Sequence, residues 1–221
     1  MKLQSLVIVV AVLGVLGYFG YKAYNQFTNE KPERELLYFG PIKKEEDSTV
    51  VYHSVADFSF LDQDSNIVTP ATFEGKIYVT DFFFTTCETI CPIMSKQMQR
   101  VVKTFEKEPR VAFLSHTVEP EYDSVSILKD YAKEHEADSK VWHFVTGPKP
   151  ELYNMARESY FLVDSHGDGG PDDFIHTERF ALIDMDQHIR GYYDGTDSAD
   201  VDKLINEMKL LLKYYDYKAK Q

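Results

Sequence analysis

The fold is decided by one stretch of the chain, residues 76–92, which reads KIYVTDFFFTTCETICP. Its first half is rich in β-branched and aromatic residues, which is typical of a buried strand. Its second half holds Cys87 and Cys91, the two cysteines of this 221-residue chain. Pro92 fits the first position of a helix that we expect to continue to Phe105. The stretch therefore predicts two thiols at a strand-to-helix turn, where the helix dipole favours the thiolate.

The sequence on either side of this stretch predicts an α/β domain. We expect a hairpin formed by residues 58–61 and 66–69. Further strands are expected at residues 110–117, 141–146, 179–183 and 189–193. Further helices are expected at residues 123–136, 150–158 and 198–214. Strands that alternate with helices indicate a mixed central sheet flanked by helices. A dithiol at the first strand-to-helix junction favours a thioredoxin-like fold.

The N-terminal part of the chain differs in composition from the rest. Residues 5–21 carry no charged side chain and are followed by Lys22 rather than by a small-residue cleavage site. We expect residues 1–22 to be an uncleaved membrane anchor; a cleaved signal peptide is the competing interpretation. Residues 23–50 are polar and predict a tether, and residues 51–221 are expected to form the folded domain. Because the segment before the anchor is too short to form a domain, we expect a single-pass protein of the cell inner membrane whose domain faces the periplasm.

Charge and composition narrow the classes of partner. The formal net charge is −12, which argues against nucleic acid or an anionic lipid surface as a partner. An acidic surface suits a cationic partner or cargo, and it also serves solubility alone. With 43% hydrophobic residues, the chain has the composition of a globular protein.

The Cys-x-x-x-Cys spacing leaves redox chemistry and metal binding both open. Thiolates are soft ligands that prefer Cu(I) or Zn(II), and two ligands rarely suffice, so a third should be sought. Among the seven histidines, His176 stands out, because it ends an acidic loop and directly precedes a predicted core strand. In a thioredoxin-like fold, that loop lies beside the active-site turn, so His176 could close over Cys87 and Cys91. His166, inside the same loop, is the reserve candidate.

These residues resemble those of the Sco/SenC family of copper chaperones. Residues 86–92 are similar to its T-C-x-x-x-C-P signature and His176 to its distal metal histidine, and the similarity runs from about Phe58 to Leu212. The resemblance implies a thioredoxin-like metallochaperone with one copper, as Cu(I) or Cu(II), bound by Cys87, Cys91 and His176. It also implies delivery of copper to the binuclear copper centre of cytochrome c oxidase, or reduction of the cysteines of that centre.

The resemblance is incomplete in the segment after the next strand. Where the family has S-V-D-P-E-R-D-T, this chain has Glu119 in place of the aspartate and Tyr122 in place of the arginine. Neither change removes a ligand. We expect this segment to affect how a partner docks or how the redox state is controlled.

Three other functional interpretations of the cysteine pair remain. The first is an extracytoplasmic thiol–disulfide oxidoreductase without a metal role, which would not need His176. The second is a peroxidase, which needs a threonine and an arginine around one thiol; Thr86 and Arg100 are the nearest in sequence. The third is a structural disulfide, which is disfavoured because so small a loop contributes little stability.

Two further groups of residues suggest metal binding and fit a structural role better. Asp164, Asp168, Asp172 and Asp173 lie in a Gly- and Asp-rich loop, but their spacing fails the calcium-loop template. Met94 and Met98 could be soft copper ligands, although their helical spacing is more typical of core residues. We expect the aspartates to form a solvated loop and the methionines to be buried.

Overall fold

The computed structural model describes residues 11–22, 31–45, 48–163, 167 and 173–221. The chain divides into two compact units, one of residues Leu36–Met208 and the other of Met1–Glu35 with Lys209–Gln221. The first unit holds the sheet and both cysteines. In the second unit, residues 11–22 are helical, and residues 209–218 complete the C-terminal helix.

The helices and strands follow the predicted order closely. The strands are β1 (Ile42–Lys44), β2 (Val50–Tyr52), β3 (Phe60–Asp62), β4 (Ile67–Val68), β5 (Ile77–Phe83), β6 (Val111–Thr117), β7 (Trp142–Thr146), β8 (Arg179–Ile183) and β9 (Ile189–Asp194). The helices are α1 (Cys91–Thr104), α2 (Val125–Glu134), α3 (Lys149–Asn154) and α4 (Ser198–Lys218). A 3-10 turn at Pro70–Phe73 precedes β5, and a π-helical turn at Met155–Ser159 continues α3.

Strands β3 to β9 form one mixed sheet in the order β4-β3-β7-β6-β5-β8-β9. The three central strands β7, β6 and β5 are parallel, and β3 and β8 flank them antiparallel. Every residue of β5 and of β6 is buried, as expected of central strands with both faces covered. The predicted α/β class and mixed sheet are confirmed.

The antiparallel pairing of β5 with β8 fixes which loops share an end of the sheet. Tyr78 pairs with Ile183, and Thr80 pairs with Ala181. The residues that lead into β8 therefore lie at the carboxyl end of β5, where the chain turns toward Cys87. The turn between β8 and β9 lies at the opposite end.

The folded unit begins earlier in the chain than the sequence predicts. The Phe39 amide donates a 3.0 Å hydrogen bond to the Ile189 carbonyl, and Leu36 is buried. The C-terminal part of the predicted tether, residues 23–50, therefore belongs to the folded unit from Leu36 onward. Residues 31–45 and 48–50 of it are described, and they include β1 and the first residue of β2.

One buried ion pair holds this N-terminal stretch against the β8–β9 turn. The Arg190 guanidinium lies 2.7 Å from Asp184 Oδ2 and donates to the carbonyls of Leu36 (2.6 Å) and Leu37 (3.0 Å). The Val55 amide donates to the Gln187 carbonyl at 2.8 Å. The chain thus enters the sheet unit at the end remote from the cysteines.

The predicted membrane anchor, residues 1–22, is described only in part. Residues 1–10 lie outside the described residues, and residues 11–22 form a helix. Among the described residues, no helix combines the length and the apolar character needed to cross a membrane.

Candidate metal centre

The two cysteines lie in a loop that we call the thiol loop, residues 84–91. It leaves the buried strand β5, turns with a 3.3 Å hydrogen bond from the Cys87 amide to the Phe84 carbonyl, and enters α1. Cys91 is the first residue of α1 and is buried, whereas Cys87 is half-buried. The two thiols are free and form no disulfide with each other. The sequence thus presents one accessible sulfur with a second sulfur behind it.

The surroundings of the two thiols separate their acidities. Burial raises the pKa of Cys87, but hydrogen bonds from Cys91 and Thr89 outweigh it, so the net pKa is lowered. One of these bonds is the Cys91 amide donating to Cys87 Sγ at 3.4 Å. Burial raises the pKa of Cys91 to about 12, with a further contribution from its hydrogen bond to Cys87. Cys87 is therefore the more acidic and the more accessible thiol of the pair.

A buried carboxylate fixes the start of the thiol loop. Asp123 is fully buried and accepts hydrogen bonds from the Thr85 amide (3.2 Å) and from the hydroxyls of Thr85 and Thr117. Next to it, the Thr86 hydroxyl donates to Glu119 Oε2 at 3.0 Å. The segment that follows β6 thereby holds the residues just before Cys87.

A second carboxyl group lies on β5, below Cys91. Asp81 is buried and accepts a 2.5 Å hydrogen bond from the Ser115 hydroxyl, which itself accepts one from Trp142 Nε1 at 2.9 Å. Burial raises the pKa of Asp81 to about 7, although the Ser115 bond opposes this shift. The charge of Asp81 also contributes to the raised pKa of Cys91.

His176 belongs to what we call the histidine segment, residues 173–178, which leads into β8. The Phe174 ring packs edge-to-face on Phe84 with ring centroids 5.1 Å apart, Ile175 is buried, and the Thr177 hydroxyl donates to the Leu162 carbonyl at 3.0 Å. His176 itself is exposed, and within the described residues it makes no hydrogen bond or ion pair. Its neighbours are thus fixed beside the thiol loop while its imidazole is left accessible.

The front of the histidine segment is fixed by a buried ion pair. The two terminal guanidinium nitrogens of Arg157 donate to the Asp173 carboxylate, at 2.8 and 2.6 Å, and both side chains are nearly buried. The Tyr153 hydroxyl donates to the Asp173 carbonyl at 3.2 Å. This bidentate arrangement sets where the segment starts.

Comparison with known proteins identifies the family. A family model described as SCO1/SenC matches residues 46–213. The chain belongs to the SCO1/SenC family. The SCO1 protein homolog of Bacillus subtilis (strain 168) is 31% identical to it over 159 residues, which are 71% of this chain and 82% of that protein.

Solved Sco structures share this fold. BsSco, described as a member of the Sco family of cytochrome c oxidase assembly proteins with a disulfide switch, matches with a TM-score of 0.61 at 30% identity, over 72% of this chain and 93% of that one. Bradyrhizobium japonicum ScoI with copper bound matches with a TM-score of 0.58 at 20% identity, over 72% of this chain and 99% of that one. The predicted family and its α/β fold are confirmed.

In this Sco chain, the structure brings two of the three predicted ligands together. Cys87 and Cys91 are in contact, whereas His176 is not in a metal-binding cluster with them. Within the described ranges, no three histidine, cysteine, aspartate or glutamate side chains are grouped closely enough to hold a metal ion. The pair of sulfurs is thus formed, and His176 is the separate candidate for the third ligand.

The other candidate residues have structural roles or lie outside the description. His166, Asp164, Asp168 and Asp172 are outside the described residues. Asp173 is engaged by Arg157 rather than turned toward a cation site. Met94 and Met98 are almost fully buried, as their helical spacing predicts, and Arg100 is paired with Asp202.

Sequence reasoning missed the two buried carboxyl groups of this site, Asp81 and Asp123. Asp81 stands in the middle of an apolar strand, and a charged residue there is a usable signal, because such residues are rarely buried without a role. Asp123 gave no comparable signal, because its contacts with Thr85 and Thr117 depend on tertiary folding.

Proposed function

We propose that this protein is a membrane-anchored copper metallochaperone that binds one copper through Cys87, Cys91 and His176 and serves cytochrome c oxidase assembly. The observation that carries the proposal is the pair of contacting thiols with unequal acidity. Two thiolate ligands suit Cu(I), and an imidazole as third ligand also allows Cu(II). The copper-bound Bradyrhizobium relative and the assembly role named for BsSco support this choice of cargo and pathway.

The unequal thiols suggest an order of metal binding. Cys87 is accessible and has the lowered pKa, so its sulfur meets copper first. Cys91 then loses its proton to become the second ligand, since metal binding favours the thiolate. His176 follows from the exposed histidine segment, whose neighbours already pack beside the thiol loop.

The same two sulfurs provide a means of release. In thiol–disulfide exchange, the Cys87 thiolate attacks a partner disulfide, and Cys91 then displaces the partner sulfur as its own proton is lost. The partner gains two thiols, and the Cys87–Cys91 disulfide can no longer supply two thiolate ligands. This step serves release of copper, and also reduction of the cysteines of an oxidase copper centre.

We assign the working site to the extracytoplasmic side of the inner membrane, in the periplasm. The basis is the uncharged N-terminal segment, residues 5–21, with no cleavage pattern after it. The chain enters the folded unit at the end of the sheet remote from the thiols, which leaves the thiol end free to meet a partner.

A thiol–disulfide oxidoreductase without a metal role is the second candidate. The pKa contrast between Cys87 and Cys91 favours it, because an accessible thiolate with a buried resolving thiol is what exchange needs. In that case His176 has no part in the chemistry.

Copper titration separates the two candidates. The reduced full-length protein in detergent should bind one copper with sulfur-to-Cu(II) charge-transfer absorption, and His176→Ala should weaken this binding by about tenfold or more. The matched control is His188→Ala, because His188 lies at the opposite end of the sheet and should leave binding unchanged. Equal binding by wild type and His176→Ala removes His176 from the site, and absence of tight binding by the wild type favours the oxidoreductase.

A further inference from the structure

A groove runs along α1, from the residues directly after Cys91 to the start of α4. It has a volume of about 940 Å³ and is lined by residues that include Pro92, Ile93, Lys96, Arg100, Lys103 and Ser198. Pro92 and Ile93 directly follow Cys91, and the Ile93 side chain is 47% exposed. One end of the groove therefore lies next to Cys91 along the chain, although neither cysteine lines it.

The charge of this groove is opposite to that of the whole protein. The protein carries a formal net charge of −12, yet the charged side chains that line the groove are Lys96, Arg100 and Lys103. Arg100 is held by Asp202 and by the Ser198 carbonyl, so it forms part of the wall. Lys103 makes only an exposed 3.6 Å contact with Glu136, and such pairs are weak.

Lys96 and Lys103 are both exposed and remain available to an incoming group. Lys96 has no ion pair within the described residues. From Cys91 to Lys103 the helix rises about 18 Å, at 1.5 Å per residue. An extended peptide covers that length with about five or six residues, at about 3.3 Å each.

We propose that the groove binds a short, extended, acidic segment of the protein that receives the copper and so directs its acceptor site to the thiols. This inference rests on the proposed function. Complementary charge at the rim of an interface raises the association rate and favours the correct orientation of the two partners. On a protein with a formal net charge of −12, a groove that is lined by three cationic side chains and begins next to Cys91 favours one orientation in which such a partner docks.

The test measures docking without copper. The reduced, metal-free, full-length protein in detergent is titrated with the soluble copper-centre domain of the oxidase subunit from the same organism, and the dissociation constant is measured at low and at physiological salt. The variant is Lys96→Glu with Lys103→Glu. The matched control is Lys107→Glu with Lys140→Glu, which changes net charge equally at exposed positions outside the groove lining.

We expect the groove variant to raise the dissociation constant by about tenfold and the control by less than twofold, with a larger difference at low salt. Equal weakening in both variants, unchanged binding in the groove variant, or no complex with the wild type overturns the inference. Copper stoichiometry, measured separately on the same variants, should stay at the wild-type value. A wild type that docks through the groove but binds no copper overturns the proposed function alone.

Discussion

The thiol loop and the histidine segment meet at one end of the sheet and are held there by different contacts. The thiol loop continues a fully buried central strand, and its backbone is fixed by the Asp123 carboxylate. The histidine segment is fixed by side chains on either side of His176, namely Asp173, Phe174 and Thr177, while the imidazole makes no such contact within the described residues. The difference separates a fixed pair of sulfurs from an exposed imidazole, the proposed third ligand.

The largest expected effect is the pH dependence of stability due to Asp81, the buried carboxyl group on β5. Burial raises its pKa from 3.8 to about 7, so between these values the folded state keeps a proton that the unfolded state has lost. The contribution of Asp81 to stability should therefore fall as pH rises through this window, by about 4 kcal/mol at most, at 1.36 kcal/mol per pKa unit. Asp81→Asn should remove this dependence in urea unfolding measured from pH 4.5 to 8, whereas the exposed-site control Asp130→Asn should retain it.

If the Asp81→Asn variant keeps the wild-type slope, the buried carboxyl group does not titrate as described. The thiol end of the sheet would then be less shielded from water than its burial indicates.

Loss of the Asp123 carboxylate should have the next largest effect. Asp123→Asn places an amide where the Thr85 amide and the Thr85 and Thr117 hydroxyls now donate, so some donors lose their acceptor. We expect the free energy of unfolding to fall by about 3 kcal/mol, measured by urea unfolding. Asp130→Asn, an exposed change of the same type, should cost less than about 0.5 kcal/mol. Similar values for the two variants would mean that the thiol loop does not depend on this carboxylate.

The smallest expected effect on stability comes from a change in the histidine segment. Asp173→Asn breaks the bidentate pair with Arg157 and should loosen the histidine segment locally, because that segment precedes β8 and lies outside the sheet. We expect copper affinity to fall by about tenfold while the free energy of unfolding changes by less than about 1 kcal/mol. Competition with a copper chelator measures the first quantity and urea unfolding the second. A stability loss as large as that of Asp123→Asn would show that both segments are equally built into the fold.

Most of the fold could be predicted from sequence because the central strands and amphipathic helices carry strong local patterns. β8 occupies Arg179–Ile183 as predicted, α1 differs from prediction by one residue at each end, and β6 differs by one residue at its start. The short hairpin of β1 and β2 was missed, because its exposed residues show no clear alternation. β1 and the first residue of β2 lie in the predicted tether, and so does Phe39, whose contact with the distant Ile189 no local pattern reveals.

The candidate site was predictable only in part. Cys87, Cys91 and His176 stand out by chemistry and by position, and the structure places the histidine segment against the thiol loop through Phe174 and Phe84. The pKa contrast between the thiols arises from burial and hydrogen bonds, and the contacts of Asp81 and Asp123 depend on residues distant in sequence. No local pattern in the sequence encodes these.

The buried ion pair of Arg190 with Asp184 has a mechanical consequence. A pull on the chain ahead of residue 36 first reaches the sheet unit at Leu36 and Phe39. That load passes into the β8–β9 turn through the Arg190 contacts with the Leu36 and Leu37 carbonyls. The sulfur atoms lie at the far end of β5, about 20 Å away at 3.3 Å per residue, so force on the chain does not act on them directly.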